Sequence, residues 1–313
     1  MLTENTPVFN SYSKYIRETF GERVQKISIN TGYSCPNRDG SKGLGGCTYC
    51  NINSIKPEYA NAKKSVTEQL SEGIDFFSKK YKAQKYLAYF QSYTNTYHNN
   101  DVLIKTYEEA LNVPNIVGLV IGTRPDCITP EIADYLQEVS KTKYVSIELG
   151  IESTNEETLQ KINRCHTYQE TIAAVKMLAS KNILVGGHLI LGFPWENREG
   201  IILHAKNVSK LPLKFLKIHH LQILKSTQLA RDYEANKDEF KLLTLPEYLD
   251  IIVEFLENLR SDIVVQRFLS ESPKDLLIAP HWDGVKNYEF TSRVEKKMKE
   301  MKTWQGRLVD EKG

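Results

Sequence analysis

The sequence predicts an α/β fold, a partial (βα)6 TIM-like barrel followed by a C-terminal α+β extension. Two observations predict it. Strand-like and helix-like segments alternate six times between residues 26 and 222, which favours a parallel sheet with right-handed crossovers. Several of these strands also place polar residues along one face, whereas a parallel strand covered by helices on both sides is apolar throughout. In a barrel, such polar faces line the interior.

The first half of the chain contains the first three strands of this pattern. Residues 26–33 alternate, with Ile27 and Ile29 on one side and Ser28 and Asn30 on the other, as expected for a strand. The other elements predicted here, in chain order, are a short helix over 13–20, an amphipathic helix from about 65, a strand over 86–91, a helix over 101–111 and a strand over 115–124.

The second half completes the barrel and then loses the alternation. Pro125 closes the third strand, and a helix begins near Pro130. The remaining elements are strands over 144–152, 183–192 and 215–222, with helical residues up to about 181 that break near 164–167. In the extension, a helix over 246–260, a strand over 263–269 and a basic helix over 291–302 are predicted.

The polar faces of the later strands point to a ligand in the barrel. In the fourth strand Ser146, Glu148, Gly150 and Glu152 share one face, and Val145, Ile147, Leu149 and Ile151 share the other. His188 faces the same way as Gly186 in the fifth strand, and Lys217 as His219 in the sixth. Two readings stay open for these residues. They line a polar lumen at the carboxyl ends of the strands, or they form a buried ion pair of Glu148 or Glu152 with Lys217 or Arg124, with the histidines hydrogen-bonded in the core.

We expect three parts along the chain. Residues 1–25 form an N-terminal extension, residues 26–225 form the barrel, and residues 226–313 form a C-terminal extension that covers the barrel and recognises the substrate. The 313 residues carry a net charge of +2, which is too small to indicate nucleic-acid binding by itself. No signal peptide and no run of eighteen apolar residues is present, so a cytoplasmic protein with no membrane partner is expected.

Three cysteines between residues 35 and 50 predict a metal-binding loop. Cys35 and Cys47 are separated by eleven residues, and Cys47 and Cys50 by two, with glycines and turn-forming residues between the first two. A structural zinc site takes four protein ligands, and the loop contains no histidine, so three thiolates favour a reactive centre with one open position. Cys127 and Cys165 are too few for a second cluster and are interpreted as packed thiols.

The loop, with the aromatic Tyr49 directly before Cys50, resembles the radical S-adenosylmethionine (SAM) enzymes. In that family three cysteines hold a 4Fe-4S cluster and SAM binds the fourth iron. The usual gap between the first two cysteines is three residues, so the gap of eleven is closer to the branch that resembles the catalytic subunit of elongator. The chain as a whole, from about residue 28 to residue 282, is similar to the MnmL (YtqA-type) branch.

The resemblance implies a set of cofactor contacts. Cys35, Cys47 and Cys50 would hold the cluster, and Tyr49 would contact adenine. Motifs in the order expected for the family supply the other candidates. Gln91 and Ser92 would lie near the methionyl amine, although the family's glycines are absent there, and Glu148 and Glu152 of ELGIES would also contact SAM. Arg164 of NRCH would bind the carboxylate, with Cys165 where the family has glycine, and HLILGFP would contact the ribose and adenine through His188, Gly192 and Phe193. No catalytic protein residue is implied.

The same resemblance implies a function. One electron, from a donor such as flavodoxin or ferredoxin, cleaves SAM to methionine and a 5′-deoxyadenosyl radical that takes a hydrogen from the substrate. The elongator-like branch points to tRNA, and the acetyltransferase domain is missing, which leads to the hypothesis that 5-carboxymethylaminomethyluridine at the wobble position becomes 5-aminomethyluridine. Gln266, Arg267, Lys286 and the basic tail are candidates for contacts with phosphates or the anticodon loop.

Two other functions remain open at this stage. One is a radical SAM enzyme that acts on a small molecule or a protein and binds no tRNA. The other is a non-catalytic RNA-binding module with a zinc ion or an iron-sulfur cluster, which would leave SAM intact.

Overall fold

The central feature of the computed structural model, which describes residues 6–54, 57–79 and 85–310, is a parallel sheet of seven strands. Residues 1–5 and 311–313 of the two predicted extensions lie outside the described residues. The strands of this sheet follow one another in the order β1, β2, β3, β4, β5, β6, β8. They are β1 (Val24–Ile29), β2 (Lys85–Phe90), β3 (Ile116–Thr123), β4 (Tyr144–Glu152), β5 (Leu184–Leu191), β6 (Phe215–His220) and β8 (Val264–Arg267).

The helices and the smaller elements surround this sheet. A two-stranded antiparallel sheet pairs β7 (Ile223–Leu224) with β9 (Leu277–Ala279). The helices are α1 (Tyr12–Phe20), α2 (Val66–Ser78), α3 (Asn100–Leu111), α4 (Pro130–Ser140), α5 (Glu156–Lys161), α6 (Tyr168–Ser180), α7 (Arg198–Ser209), α8 (Gln228–Ala235), α9 (Leu245–Glu257), α10 (Asn287–Glu300) and α11 (Arg307–Asp310). Within the described ranges, no helix is both long enough and apolar enough to cross a membrane.

Local sequence explains where the crossover helices begin. Ser65 caps α2 by accepting from the backbone N–H of Glu68, whose side chain in turn accepts from the backbone of Ser65. The pair Thr167 and Glu170 forms the same capping box at α6. Each box satisfies backbone donors that the first turn of a helix leaves free. The break that the sequence predicts between α5 and α6 is a loop, and it ends at Thr167 because the capping box begins α6 there.

The sheet curls into an open barrel with an apolar outside and a polar inside. On β4, Val145, Ile147, Leu149 and Ile151 are buried in the main hydrophobic core, which the helices cover. Lys26 in the first strand donates to the side chain of Gln266 in the last strand at 3.3 Å. Because strands at opposite edges of a flat seven-stranded sheet cannot touch, this contact requires strong curvature. The predicted TIM-like partial barrel is confirmed.

The structure differs from the sequence-based prediction at two strands. The first strand stops at Ile29 rather than at residue 33, because Gln69 of α2 binds the backbone of Asn30 on both sides. Its amide oxygen accepts from the N–H at 2.9 Å and its amide nitrogen donates to the carbonyl at 3.1 Å, so no strand partner is needed. The strand predicted in the C-terminal extension is β8, which pairs in parallel with β6 and makes the sheet seven-stranded rather than six-stranded.

The free edge of β8 is covered by the N-terminal segment. Ser11 forms a parallel bridge with Val265, whose N–H donates to the carbonyl of Asn10 at 2.8 Å. The buried Gln305 joins this segment to the C-terminal part of the chain. Its side chain accepts from the N–H of Asn10 at 2.9 Å and donates to the carbonyls of Arg260 and Ile263, each at 2.8 Å. The two ends of the described chain thus close one side of the barrel.

We expect Gln305→Ala to lower the free energy of unfolding by about 2 to 3 kcal/mol, because it removes three hydrogen bonds and takes the partner from the N–H of Asn10 and from the carbonyl of Ile263, while the carbonyl of Arg260 keeps the N–H of Ile263. Urea denaturation followed by circular dichroism measures this change. Gln160→Ala on the exposed surface of α5 is the matched control and should change stability by less than about 0.5 kcal/mol. Equal stability of the two variants would contradict the role given to Gln305.

Candidate active site

The cysteine loop that follows β1 is held in place by the segment between α5 and α6. Asn37, which is fully buried, donates to the carbonyl of Asn163, and the side chain of Asn163 donates back to the carbonyl of Gly46 at 2.9 Å. The N–H of Thr48 donates to the carbonyl of Ile162 at 3.0 Å. These reciprocal bonds explain why the two segments are found together, although they are more than a hundred residues apart in sequence.

Two glycines permit the close approach of backbone and side chains at this site. A Cβ atom at Gly43 would lie 2.2 Å from Oδ1 of the buried Asn37. A Cβ atom at Gly150 in β4 would lie 2.5 Å from Nη2 of Arg164 and 2.6 Å from Oε1 of Glu152. A side chain at either position would therefore move a residue that shapes the site.

The three cysteines line one cavity at the carboxyl ends of the strands. Cys47 is buried, whereas Cys35 and Cys50 are partly exposed. Nη1 of Arg164 contacts Sγ of Cys47 at 3.5 Å, and Nη2 of Arg38 donates to the carbonyl of Cys50 at 3.2 Å. Burial raises the pKa of Cys50, with a further contribution from Cys47, while Arg38 opposes it. Guanidinium groups beside the loop favour negative charge there.

The cavity, of about 220 Å³, extends from the cysteines into the interior of the barrel. Two groups of side chains line different parts of this cavity. Near the loop lie Cys35, Cys47, Tyr49, Cys50, Arg124, Glu152 and Arg164, and in the lumen lie Tyr89, Gln91, Glu148, His188, Lys217, His219 and Arg267.

Near the loop, Arg124 and Arg164 are buried cations with incomplete hydrogen bonding. Arg124 pairs with Asp126, with Nε to Oδ1 at 2.9 Å, but its Nη1 has no partner among the described residues. Arg164 donates to the carbonyl of Gly150 at 2.6 Å and lies 3.6 Å from Glu152, while its buried Nε has no partner there. Burial would raise the pKa of Asp126, but Arg124 lowers it to about 2. Burial raises the pKa of Glu152, and Arg164 opposes this shift.

In the lumen, the carboxylate of Glu148 is the centre of a buried polar network. Its Oε1 accepts from Nζ of Lys26 at 2.6 Å. Its Oε2 lies within hydrogen-bond distance of Nζ of Lys217 (2.7 Å), the hydroxyl of Tyr89 (2.8 Å) and Nε2 of His188 (2.8 Å). Five different strands supply these groups, so the network ties the inner face of the sheet together.

Burial and the neighbouring charges determine the protonation states of the groups in this network. Burial alone would raise the pKa of Glu148, but Lys217 and Lys26 hold it well below its usual range. Burial lowers the pKa of Lys217 to about 7, against the opposing effect of Glu148, and burial and Lys217 lower that of His188 to about 4. The carboxylate is therefore ionised and the imidazole of His188 is neutral at physiological pH.

The cavity brings together most of the residues that the sequence identified. Cys35, Cys47, Cys50, Tyr49, Gln91, Glu148, Glu152, Arg164 and His188 all line it. The other three candidates, Ser92, Gly192 and Phe193, are not among the lining residues. Ser92 is buried, and a Cβ atom at Gly192 would meet the side chain of Leu243. Phe193 stacks on Trp195 with ring centroids 5.3 Å apart. The roles assigned to all these residues towards SAM remain predictions.

For Glu148, the alternative reading of a buried ion pair also describes what is observed. It pairs with Lys217, as that reading expected, while Arg124 pairs with Asp126 rather than with a carboxylate of β4. A polar lumen and a buried ion pair are therefore not exclusive here, because the ion pair forms part of the cavity wall.

The residues near the loop fit a cluster and an anionic ligand. Three thiols open on one cavity, and thiolates are the ligands of iron-sulfur clusters. The unpartnered nitrogen atoms of Arg124 and Arg164 are donors for a carboxylate. By their positions, however, neither these three thiols nor any other three side chains of His, Cys, Asp or Glu across residues 6–54, 57–79 and 85–310 are grouped closely enough to hold one metal ion.

Sequence reasoning missed Lys26 and Tyr89. Lys26 and Tyr89 stand in strands whose inner faces carried no other charge signal. Arg267, a candidate for contacts with phosphates or the anticodon loop, lines the cavity, and Gln266 beside it contacts Lys26. Lys286 is exposed, 3.2 Å from Glu271. The alternation within β1 placed Lys26 on the same face as Ser28, and this was the signal that could have found it.

Comparisons with known proteins agree with this geometry. A family model described as the Radical SAM superfamily matches residues 29–208, and a model described as Radical_SAM C-terminal domain matches residues 213–300. The uncharacterised protein YtqA of Bacillus subtilis is 33% identical over 300 residues, which are 96% of this chain and 92% of that protein.

Two archaeal proteins give a more distant comparison. The tRNA uridine(34) acetyltransferase of Methanocaldococcus infernus is 25% identical over 202 residues, 62% of this chain and 36% of that protein. The structure of Elp3 from the same organism, with an N-terminal deletion, superposes with a TM-score of 0.67 at 17% identity and covers 90% of this chain and 64% of that one. The structural likeness shows a shared fold.

We expect Glu148→Gln to lower the free energy of unfolding by about 3 kcal/mol at neutral pH, because it leaves Lys26 and Lys217 without their buried counter-charge. The ionised carboxylate stabilises fully above its ordinary pKa of 4.5, and this stabilisation is lost as the pH falls through the lower pKa of the folded state. The difference between wild type and variant in urea denaturation should therefore shrink below about pH 4.5.

Glu199→Gln, at an exposed position of α7, is the control for this substitution and should leave stability nearly unchanged at every pH. A Glu148→Gln variant as stable as the Glu199→Gln variant at neutral pH would show that the network does not hold the barrel.

Proposed function

The chain belongs to the radical SAM superfamily, and from this premise we propose that it modifies the side chain on carbon 5 of the wobble uridine of tRNA. As a member it is an enzyme that uses a 4Fe-4S cluster and SAM. When bound, these cofactors supply a 5′-deoxyadenosyl radical that takes a hydrogen atom from the substrate. The chain's own residues have to hold the cofactors, place the substrate carbon and exclude water.

The proposed division of labour follows the two ends of the cavity. At the loop end, Cys35, Cys47 and Cys50 would hold the cluster, and Arg164, with its unpartnered Nε, would bind the carboxylate of SAM. Tyr49 and Glu152 line the same end and would contact the rest of SAM. The lumen end is left for the reacting part of the substrate.

The observation that carries the proposal is that one cavity runs from the cysteine thiols to a lumen with an excess of cationic side chains. The lumen has a single carboxylate, Glu148, against the cations Lys26 and Arg267 and against Lys217, whose pKa of about 7 leaves it partly charged at neutral pH. A substrate group that enters this lumen is therefore expected to be anionic. The side chain of 5-carboxymethylaminomethyluridine is thin, carries a carboxylate and has a methylene carbon next to its amine.

The relatives support a tRNA substrate. The archaeal relative matched over 202 residues is named as a tRNA uridine(34) acetyltransferase, and uridine 34 is the wobble position. Our proposal gives this chain the same nucleoside and a different reaction, the conversion of the carboxymethylaminomethyl group to an aminomethyl group. Removal of a hydrogen atom and one further electron from the methylene carbon of the carboxymethyl group, with SAM as the overall oxidant, would give an imine. Its hydrolysis would break the bond between the amine and this carbon and release the carboxymethyl carbons as glyoxylate. Residues that fix the carboxylate therefore also fix the reacting carbon.

We expect anaerobically reconstituted protein, reduced with dithionite, to form 5′-deoxyadenosine from SAM, and expect Cys35→Ala, Cys47→Ala and Cys50→Ala each to abolish it. Each thiol is a required ligand in the proposed site. Chromatography of the nucleoside and iron analysis measure the two effects. Cys127→Ala, which changes a buried thiol outside this cavity, is the matched control and should keep both the iron and the product.

A protein that binds zinc alone and leaves SAM intact would overturn the assignment of the loop. The remaining reading would then be the non-catalytic RNA-binding module.

We expect cells that lack the gene to accumulate 5-carboxymethylaminomethyluridine in their tRNA and to lose 5-aminomethyluridine, since the proposed reaction removes one and forms the other. Mass spectrometry of nucleosides from digested tRNA measures both. Complementation with the wild-type gene should restore the pattern, and complementation with the Cys47→Ala gene should not. Unchanged wobble uridines would reject tRNA as the substrate and favour an enzyme that acts on a small molecule or a protein.

A further inference from the structure

Arg267 ends the last strand of the sheet and faces the interior of the barrel. It lies opposite Lys217 in the parallel pairing of β8 with β6, and both side chains line the cavity. A small shift of register between Leu216 and Lys217 brings the two cations to the same level. Arg267, a candidate for contacts with phosphates or the anticodon loop, is thus part of the inner wall.

The guanidinium of Arg267 has no acidic partner. Its Nε is buried and makes no hydrogen bond with any described residue, and its Nη2 contacts only the ring of His219, at 3.0 Å from Nε2 and 3.3 Å from Nδ1. No carboxylate of the described residues forms an ion pair with it, and Glu148 and Glu271 act on its charge only from a longer distance. Burial, followed by the charge of Arg267, holds the pKa of His219 well below its usual range, so the ring is neutral and does not offset the charge.

The carboxylate of Glu148 is not available to Arg267. Both of its oxygens are already used, one by Lys26 and the other by Lys217, Tyr89 and His188. Arg267 as a whole is partly exposed, but its Nε is buried without a hydrogen-bond partner, and a buried N–H without a partner is costly unless a ligand supplies the acceptor. Arg267 lines the cavity with one N–H that has no partner, and a guanidinium can bind a carboxylate through two parallel hydrogen bonds.

We propose that Arg267 binds the carboxylate of the substrate's carboxymethylaminomethyl group and so places its methylene carbon for reaction. This inference rests on the proposed function. The cavity then has a separate guanidinium for each of two carboxylates, Arg164 near the cysteines for SAM and Arg267 in the lumen for the substrate. His219, which contacts Arg267, is a positioning residue that keeps the guanidinium in the wall.

The position of Arg267 favours a side-chain carboxylate over a phosphate. Arg267 lies in the wall of the cavity inside the barrel, which a thin side chain on carbon 5 of the base can enter more readily than the polynucleotide backbone of tRNA. Phosphates would meet the exposed cations outside, such as Lys286. The carboxylate bound by Arg267 therefore distinguishes a tRNA that carries the carboxymethyl group from one that does not.

The test measures how tightly the full-length protein, reconstituted with its cluster, binds two forms of one tRNA. One form carries 5-carboxymethylaminomethyluridine at the wobble position and the other carries 5-methylaminomethyluridine, which has the same amine and no carboxylate. We expect the wild-type protein to bind the first form about tenfold or more tightly than the second, as for a hydrogen-bonded charge pair. Arg267→Gln should remove most of this preference by weakening only the first form.

Two further variants complete the test. Arg267→Lys keeps the charge without the planar fork and should retain part of the preference. Arg198→Gln makes the same change as Arg267→Gln at an exposed residue of α7 that pairs with Glu254, and it should keep the full preference. Thermal unfolding shows whether Arg267→Gln is folded. If it is not, the comparison of the two tRNAs with the wild-type protein still tests carboxylate recognition, because it needs no variant.

The outcomes separate this inference from the proposed function. Equal binding of the two tRNAs by the wild-type protein would overturn carboxylate recognition and leave the tRNA substrate in place. A preference that survives in Arg267→Gln would overturn the role of Arg267 alone. Failure to bind either tRNA would count against the proposed function itself, and this inference would fall with it.

Discussion

The buried carboxylate of Glu148 is the interaction on which the inner face of this barrel depends. It stands in the middle strand of the sheet and accepts hydrogen bonds from groups on four others, including Lys26 at one edge and Lys217 near the other edge. One charge cannot be buried without partners, and the partners can reach it only if the sheet curls. The same interaction therefore offsets the desolvation of the buried polar groups and shapes the space that they enclose.

The cysteine loop uses a different kind of constraint. Its backbone is bound to the segment after α5 through Asn37 and Asn163, and the same segment carries Arg164 into contact with Cys47. The thiols and the guanidinium are thus positioned by one structural unit rather than by two independent loops. In the proposed enzyme this unit fixes the cofactor end of the cavity, and the Glu148 network fixes the substrate end.

The seventh strand connects the two proposals. By pairing with β6 it closes the lumen on one side and brings Arg267 beside Lys217. The N-terminal segment and Gln305 hold the outer edge of this strand, so the charge balance of the cavity depends on residues near both ends of the chain. The lumen consequently carries one more cation than a six-stranded barrel would have placed there.

Local sequence was enough to predict the first six strands of the sheet and most of the residues that line the cavity. The alternation in β4 assigned Glu148 to the inner face and Val145 to the core, and the spacing of Cys35, Cys47 and Cys50 identified the loop, because both patterns are read over a few residues. Only the tertiary structure decided which inner residues meet. The order and curvature of the strands bring Lys26 to Glu148 and place Arg267 in the cavity wall, whereas Phe193 stacks on Trp195 and does not line the cavity. Strand periodicity specifies a face, whereas contacts across a barrel depend on pairing and curvature, which are set by packing over the whole chain.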